Sequence, residues 1–182
     1  MLNVYIKNQF TMQYKSTIGA DFMTKPIQRG SDIWQLQLWD TAGTEKFHAM
    51  GAGFYRNSEC CILVYDVSDR KSFEAIDTWK SEFLNQLNPP DPEKFPFVLI
   101  ANKCDLTEER KVSKEEGEEY AKSNGDIPFF ECSAKDNSGL KEAFEKAAEI
   151  AYKRVSQNVD VFVPNTRVKI SETKKTGKRC CL

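Results

Sequence analysis

Three short segments carry side chains whose types and spacing suit chemistry: Trp39-Asp40-Thr41-Ala42-Gly43, Asn102-Lys103-Cys104-Asp105 and Ser133-Ala134-Lys135. Asp105 follows an apolar run, where a carboxylate can accept two hydrogen bonds from the ring N–H and exocyclic amine of a guanine base. Adenine presents no such donor pair, so this group would select between the two bases. Asn102 can bridge a base to the neighbouring loop, and Lys103 can lay its methylene stem along the ring face. Ser133-Ala134-Lys135 would close the other side, with the Ala134 N–H donating to the base carbonyl. Asp40 ends a second strand-like run. A carboxylate there can hold Mg2+ through water, because that ion keeps several waters and takes few protein ligands. Thr17 can add a hydroxyl to the same ion, and the Gly43 N–H can donate to a terminal phosphate. Taken singly, each segment has a plainer reading: Asn102–Asp105 as a polar loop, Asp40 as a turn residue.

The elements that must position these residues are legible from patterning. Cys60–Val67 and Phe95–Ala101 are apolar without alternation, which suits parallel strands covered on both faces. Ile127-Pro128-Phe129-Phe130 is a shorter third run. Phe73, Ile76, Trp79 and Phe83 recur at helical spacing after Asp69. Ser113-Lys114-Glu115-Glu116 reads as a capping box opening a helix through about Lys122. Leu140, Phe144, Ala148, Ala151 and Val155 mark a last amphipathic helix. Upstream, Ala20–Gln28 and Ile33–Trp39 flank Arg29-Gly30-Ser31-Asp32, a predicted β-hairpin. Pro26 lacks an amide donor and points to an edge strand. The sum is an α/β sandwich with its working loops at the carboxyl ends of the strands.

Bulk properties agree with this. The 182 residues are 40% hydrophobic and 29% charged, as in an ordinary globular chain, and the formal net charge of −1 argues against a nucleic-acid binder. The longest wholly apolar run, Cys60–Tyr65, is too short to span a bilayer. The cysteines form no Cys-x-x-Cys pair, which argues against zinc. Cys60, Cys61 and Cys132 read as buried small hydrophobes, in keeping with a reducing cytosol. Residues past about Val163 show no period and read as disordered. There Arg167, Lys169, Lys174, Lys175, Lys178 and Arg179 face a single acid, Glu172. The expected organisation is one domain over 1–158 and a flexible basic tail over 159–182.

Order and spacing bind the three segments together. Asp40 to Asn102 is 62 positions and Asn102 to Ser133 is 31, each segment closing a predicted strand. In that combination the chain resembles the Ras superfamily of small GTPases. Within it, the stretch from Thr17 to Cys61 resembles the Rab family, on Ile18-Gly19-Ala20-Asp21-Phe22, Lys46-Phe47 and Phe54-Tyr55-Arg56. Pro90-Asp91-Pro92-Glu93-Lys94-Phe95-Pro96-Phe97-Val98 further resembles its late-endosomal and lysosomal subfamily. The resemblance covers about residues 2–155. It implies a mostly parallel sheet with helices on both faces, of the P-loop NTPase kind. It also implies GTP, GDP and Mg2+ as ligands, and hydrolysis of GTP. Phe22, Trp39 and Tyr55 would be the aromatic triad that effectors touch, with core packing as the plainer reading. Further implied partners are an exchange factor, an activating protein, an escort protein and a dissociation inhibitor, acting on a monomer.

Two positions depart from the family. No Gly-x-x-x-x-Gly-Lys-[Ser/Thr] loop occurs in these residues. Leu2–Lys7 matches the second half of the family's first helix, so the first strand and phosphate loop are expected ahead of Met1. Without a central strand the residues are expected to fold poorly and bind GTP weakly, since each lost buried hydrogen bond costs about 1 kcal/mol or more. A nucleotide-independent interaction module and an inactive fragment then stand beside the GTP-driven switch. The second departure is Thr44, where the family carries a Gln that orients the attacking water, so slow intrinsic hydrolysis is expected. Glu45 and His48 nearby read as solvated side chains rather than a general base.

The chain ends Lys178-Arg179-Cys180-Cys181-Leu182. Arg179 occupies the fourth position from the end, which rules out a Cys-a-a-X box. The paired Cys180 and Cys181 resemble Rab tails that take two geranylgeranyl groups, and two lipid chains anchor stably where one does not. The basic residues would add attraction to anionic cytoplasmic lipids. An unmodified basic tail is the plainer alternative. The resemblance implies the cytoplasmic face of late endosomes, lysosomes or a vacuole, in exchange with the cytosol.

Overall fold

Two strand-forming runs joined by the turn at Gly30-Ser31 build the first element. In the computed structural model, which describes residues 1–12, 16–43, 55 and 57–158, β1 (Ala20–Arg29) and β2 (Asp32–Thr41) pair antiparallel from Ala20↔Thr41 to Arg29↔Asp32. Gly30 opens the two-residue turn at φ 60°, the left-handed value such turns demand. Pro26 lies in β1, an edge strand paired on one side only, where a missing donor is tolerated.

The unbroken apolar runs form a second sheet. β3 (Cys61–Asp66), β4 (Phe97–Asn102) and β5 (Phe129–Cys132) are parallel, in the order β3-β4-β5. α2 (Arg70–Glu74) and α3 (Ile76–Leu87) connect β3 to β4, and α4 (Lys114–Ser123) connects β4 to β5. α5 (Leu140–Asn158) follows β5, and α1 (Leu2–Lys7) precedes the hairpin. The capping box at α4 is complete: Ser113 Oγ accepts from the Glu116 amide at 3.1 Å, and Glu116 Oε2 accepts from the Ser113 amide at 2.9 Å.

Helices cover both faces of this sheet. Leu63, Tyr65, Leu99 and Ala101 pack with Ile76, Phe83 and Ala121 on one side. Val98, Ile100 and Cys132 pack with Leu140, Phe144 and the α1 residues Leu2, Val4 and Tyr5 on the other. Tyr5 stacks on Phe144 with ring centroids 4.3 Å apart, which fixes α1 against α5.

The hairpin and the parallel strands form two sheets, and among the described residues no ladder joins β2 to β3. They are linked instead by side chains, because Met23, Leu36 and Leu38 of the hairpin and Cys60 and Ile62 beside β4 pack on the same α1–α5 cluster. The run Cys60–Val67 was expected to be covered on both faces, yet Val64 is 38% exposed, since β3 is an edge strand. For the central strand β4 the same expectation holds, with Phe97 to Ala101 all buried. Cys132 is buried as expected, whereas Cys60 and Cys61 are only partly so, being at that open edge. The helix after Asp69 breaks at Ala75, and Val155 on α5 is exposed.

Candidate functional site

The residues expected to read a base converge where β4 and β5 end. Asn102 is the last residue of β4, in register with Cys132, and Ser133 comes next in the chain. Ser133 is fully buried, and its Oγ donates to Asp105 Oδ1 at 2.7 Å. The same oxygen accepts from the Asp136 amide at 3.0 Å. The Cys104 amide donates to the Cys132 carbonyl at 3.1 Å, so the two loops are tied through backbone as well. Lys135 Nζ lies 3.8 Å from Asp105 Oδ2. Asp105 is thus a largely buried carboxylate with one oxygen fixed by a hydroxyl, a pre-set acceptor for N–H donors.

The Ala134 N–H donates to Asn102 Oδ1 at 3.3 Å. The Lys103 ammonium turns to Asp66 Oδ2 at 2.6 Å. Ser133 and Ser138 exchange both backbone hydrogen bonds at 3.1 Å, closing the loop that carries Ala134 and Lys135. Gly139 then starts α5 from a left-handed φ of 71°, with its Cα packed onto the Glu131 carbonyl. Sequence reasoning missed both Asp66 and Gly139. Asp66 had a signal, since it ends an apolar run as Asp40 does.

The residues expected on the metal side lie toward one end of the hairpin. Asp40 sits opposite Asp21, and the Ala42 amide donates to the Gly19 carbonyl at 2.9 Å. That continuation of the ladder brings Gly43 to the level of Ile18 and Thr17. Burial raises the Asp40 pKa above the usual carboxylate range; the N-terminal ammonium opposes the rise and Asp21 adds to it. Among the described residues no cluster of three or more His, Cys, Asp or Glu is placed to hold a metal. One carboxylate and one threonine fit Mg2+ bound largely through water, and a carboxylate whose charge burial disfavours gains from a dication. Asp40 and the Asn102–Asp105 loop are carried by different sheets.

Phe22 and Trp39 pair across the hairpin with centroids 4.7 Å apart, and they are 47% and 45% exposed. They are surface, not core. Tyr55 packs edge-on against Phe83 at 5.3 Å, and its hydroxyl shares a hydrogen bond with Thr41, at the end of β2 that carries Trp39. Thr44, Glu45, Lys46, Phe47, His48, Phe54, Arg56, Cys180 and Cys181 lie outside the described residues. No helix among the described residues is long and apolar enough to cross a membrane.

An α/β layer structure with an Asn-Lys-x-Asp loop locked to a Ser-Ala-Lys loop defines a class, and comparison with known proteins agrees. The Ras family model matches residues 1–153. Ras-related protein Rab-7a of Paramecium octaurelia is 42% identical over 184 residues, spanning 100% of this chain and 89% of the relative. Ras-related protein RABG3f of Arabidopsis thaliana is 46% identical over 91% of this chain and 81% of its own length. The Ypt/Rab-type GTPase ypt7 of Schizosaccharomyces pombe is 45% identical over 87% and 78% respectively. The chain belongs to the Ras family of small GTPases. Within it, the chain is a Rab protein of the Rab7 type, the subfamily to which Pro90–Val98 pointed. The readings as a nucleotide-independent module or inactive fragment find no support in these relatives.

Proposed function

We propose that the chain is a GTP-driven switch in vesicle and endosomal membrane traffic, hydrolysing GTP to GDP. The observation that carries this reading is the buried Ser133 hydroxyl fixing Asp105 at 2.7 Å, because it readies one carboxylate for the donor pair that distinguishes guanine. Asn102, Lys103 and Asp105 form one wall of the base pocket, and Ser133, Ala134 and Lys135 the other. Thr17 and Asp40 hold the metal side, Asp40 through water, and Gly43 offers its amide to the terminal phosphate. Mg2+, when bound, offsets phosphate charge. Thr44 cannot orient water as a glutamine amide does, so intrinsic hydrolysis is slow.

The domain spans 1–158. Phe22, Trp39 and Tyr55 present the surface that effectors read when the loops around Thr17 and Thr41 are ordered. The tail, 159–182, carries lipids on Cys180 and Cys181 and holds the protein on late-endosomal, lysosomal or vacuolar membrane. Exchange factor, activating protein, escort protein and dissociation inhibitor act on it as on other Rab proteins.

Competition titration with GDP, IDP and ADP in Mg2+ tests the reading. IDP lacks the exocyclic amine and ADP lacks both donors, so the affinity order is GDP, then IDP, then ADP. Asp105→Ala removes a charged acceptor and erases about 10- to 100-fold of that preference. Equal binding of GDP and ADP by the parent chain, or an undiminished preference in Asp105→Ala, refutes the assignment.

A further inference from the structure

Lys103 stands apart in its backbone. Among the described residues six non-glycine positions have positive φ: Asn8, Asn57, Asn88, Asp126, Asn137 and Lys103 at 62°. Five are Asn or Asp, whose short polar side chains tolerate that region; a lysine does not share that tolerance, and the conformation is costly for it. Something holds it, and the nearest candidate is the ion pair of its Nζ with Asp66 Oδ2 at 2.6 Å.

Asp66 is itself held rigidly. It is the last residue of β3 and lies in register with Asn102, the residue before Lys103. Its Oδ1 accepts from the Ser68 amide at 2.9 Å and the Ser68 hydroxyl at 2.7 Å. Its own amide donates to Ser72 Oγ at 2.9 Å. Behind it, the Val67 amide donates to the Asn102 carbonyl at 3.0 Å. One carboxylate oxygen is therefore fully engaged by its own turn, leaving the other for Lys103. The acceptor is 21% exposed and the lysine 53%, so the pair closes over the gap between the ends of β3 and β4 rather than lying in the core.

We infer that Asp66 is a positioning residue for the guanine base. It anchors the Lys103 ammonium so that the lysine stem stays across the strand ends as a wall of the base pocket. The role rests on the guanine-switch reading above. It goes beyond that reading in assigning a residue outside the three recognised segments, on a different strand, to base recognition.

Asp66→Asn tests it. The amide oxygen still accepts from Ser68, so the turn is kept, while the charge facing Lys103 is lost. GDP affinity is expected to fall about three- to tenfold, the size of a half-exposed charge-assisted contact. The melting temperature at neutral pH should fall only slightly, by about 4 °C or less, because the pair is half exposed. Lys103→Met lowers affinity alone, and Asp66→Asn adds less than about twofold in that background, because the two act as one unit. Acetylation of Lys103, read by peptide mass spectrometry, should be faster in Asp66→Asn. Unchanged GDP affinity in Asp66→Asn, additive losses in the double variant, or unchanged Lys103 acetylation each overturns the inference. If the parent chain fails to prefer GDP over ADP, the guanine reading itself is overturned and this role goes with it. A normal preference in the parent chain together with unchanged GDP affinity in Asp66→Asn overturns the positioning role alone.

Discussion

Gly139→Ala probes the junction between the Ser133–Ser138 loop and α5. Gly139 has φ +71°, and an added Cβ would press into the Glu131 carbonyl closer than real Cβ atoms approach backbone, with Cys132 Sγ a further 3.1 Å neighbour. Two penalties follow. Holding an L-residue in the left-handed region costs about 1–2 kcal/mol. Forcing a methyl into a close-packed site adds about 1–3 kcal/mol, here against backbone that cannot rotate away. The sum, about 2–5 kcal/mol, is a large part of the ~5–15 kcal/mol that a domain has in total. At about 2–4 °C per kcal/mol for this size, the melting temperature drops by about 4–20 °C. Gly30→Ala is the matched control, because Gly30 has φ +60° but nothing within 4 Å of its Cβ position. It suffers the backbone penalty alone. Circular-dichroism melts of the two variants separate the terms. Hydrogen exchange at the Ser133 and Ser138 amides then reports whether the loop has opened, as the reciprocal 3.1 Å bonds predict. A Gly139→Ala loss no larger than that of Gly30→Ala, with both serine amides still protected, would refute the reasoning.

Two carboxylates give opposite pH signatures. Burial raises the Asp40 pKa, so wild-type stability falls as pH rises from the ordinary carboxylate range through that raised value. Asp40→Asn lacks this loss: its melting temperature in the absence of nucleotide should exceed wild type at pH 7 and converge with it in acid, while Mg2+-dependent nucleotide binding disappears. A lower melting temperature at pH 7 contradicts the argument. At Asp66 burial pushes upward, but the Lys103 ammonium and the Ser68 hydrogen bonds outweigh it and hold the carboxyl below its usual range. Its stabilisation is full above the ordinary carboxylate value and is lost as pH falls through the lowered one. Urea titrations from pH 6 down to 2 should show a shallower acid decline in Asp66→Asn than in wild type; parallel declines would show that this pair adds nothing.

Local pattern alone determined most of the elements and all three chemical segments. The turn residues Arg29–Asp32 between two strand-forming runs gave the hairpin because a tight turn is a local feature, and the unbroken run Phe97–Ala101 gave a strand because both its faces are roofed by helices. The capping box at Ser113–Glu116 was readable because its two hydrogen bonds lie within four residues. Asn102, Asp105 and Ser133 could be singled out from residue type at a strand end, and the structure brings them together. What sequence did not determine is long-range placement. The run Cys60–Val67 looks like Phe97–Ala101 in composition, and only sheet order makes β3 an edge with Val64 open. The Lys103 ammonium meets Asp66, 37 positions earlier, because parallel pairing sets Asp66 against Asn102. Gly139 has no room for a side chain because Glu131 lies against it, a packing fact that no local pattern encodes. Residue type is a local property, whereas register, edge and close approach are created only when distant segments share one volume.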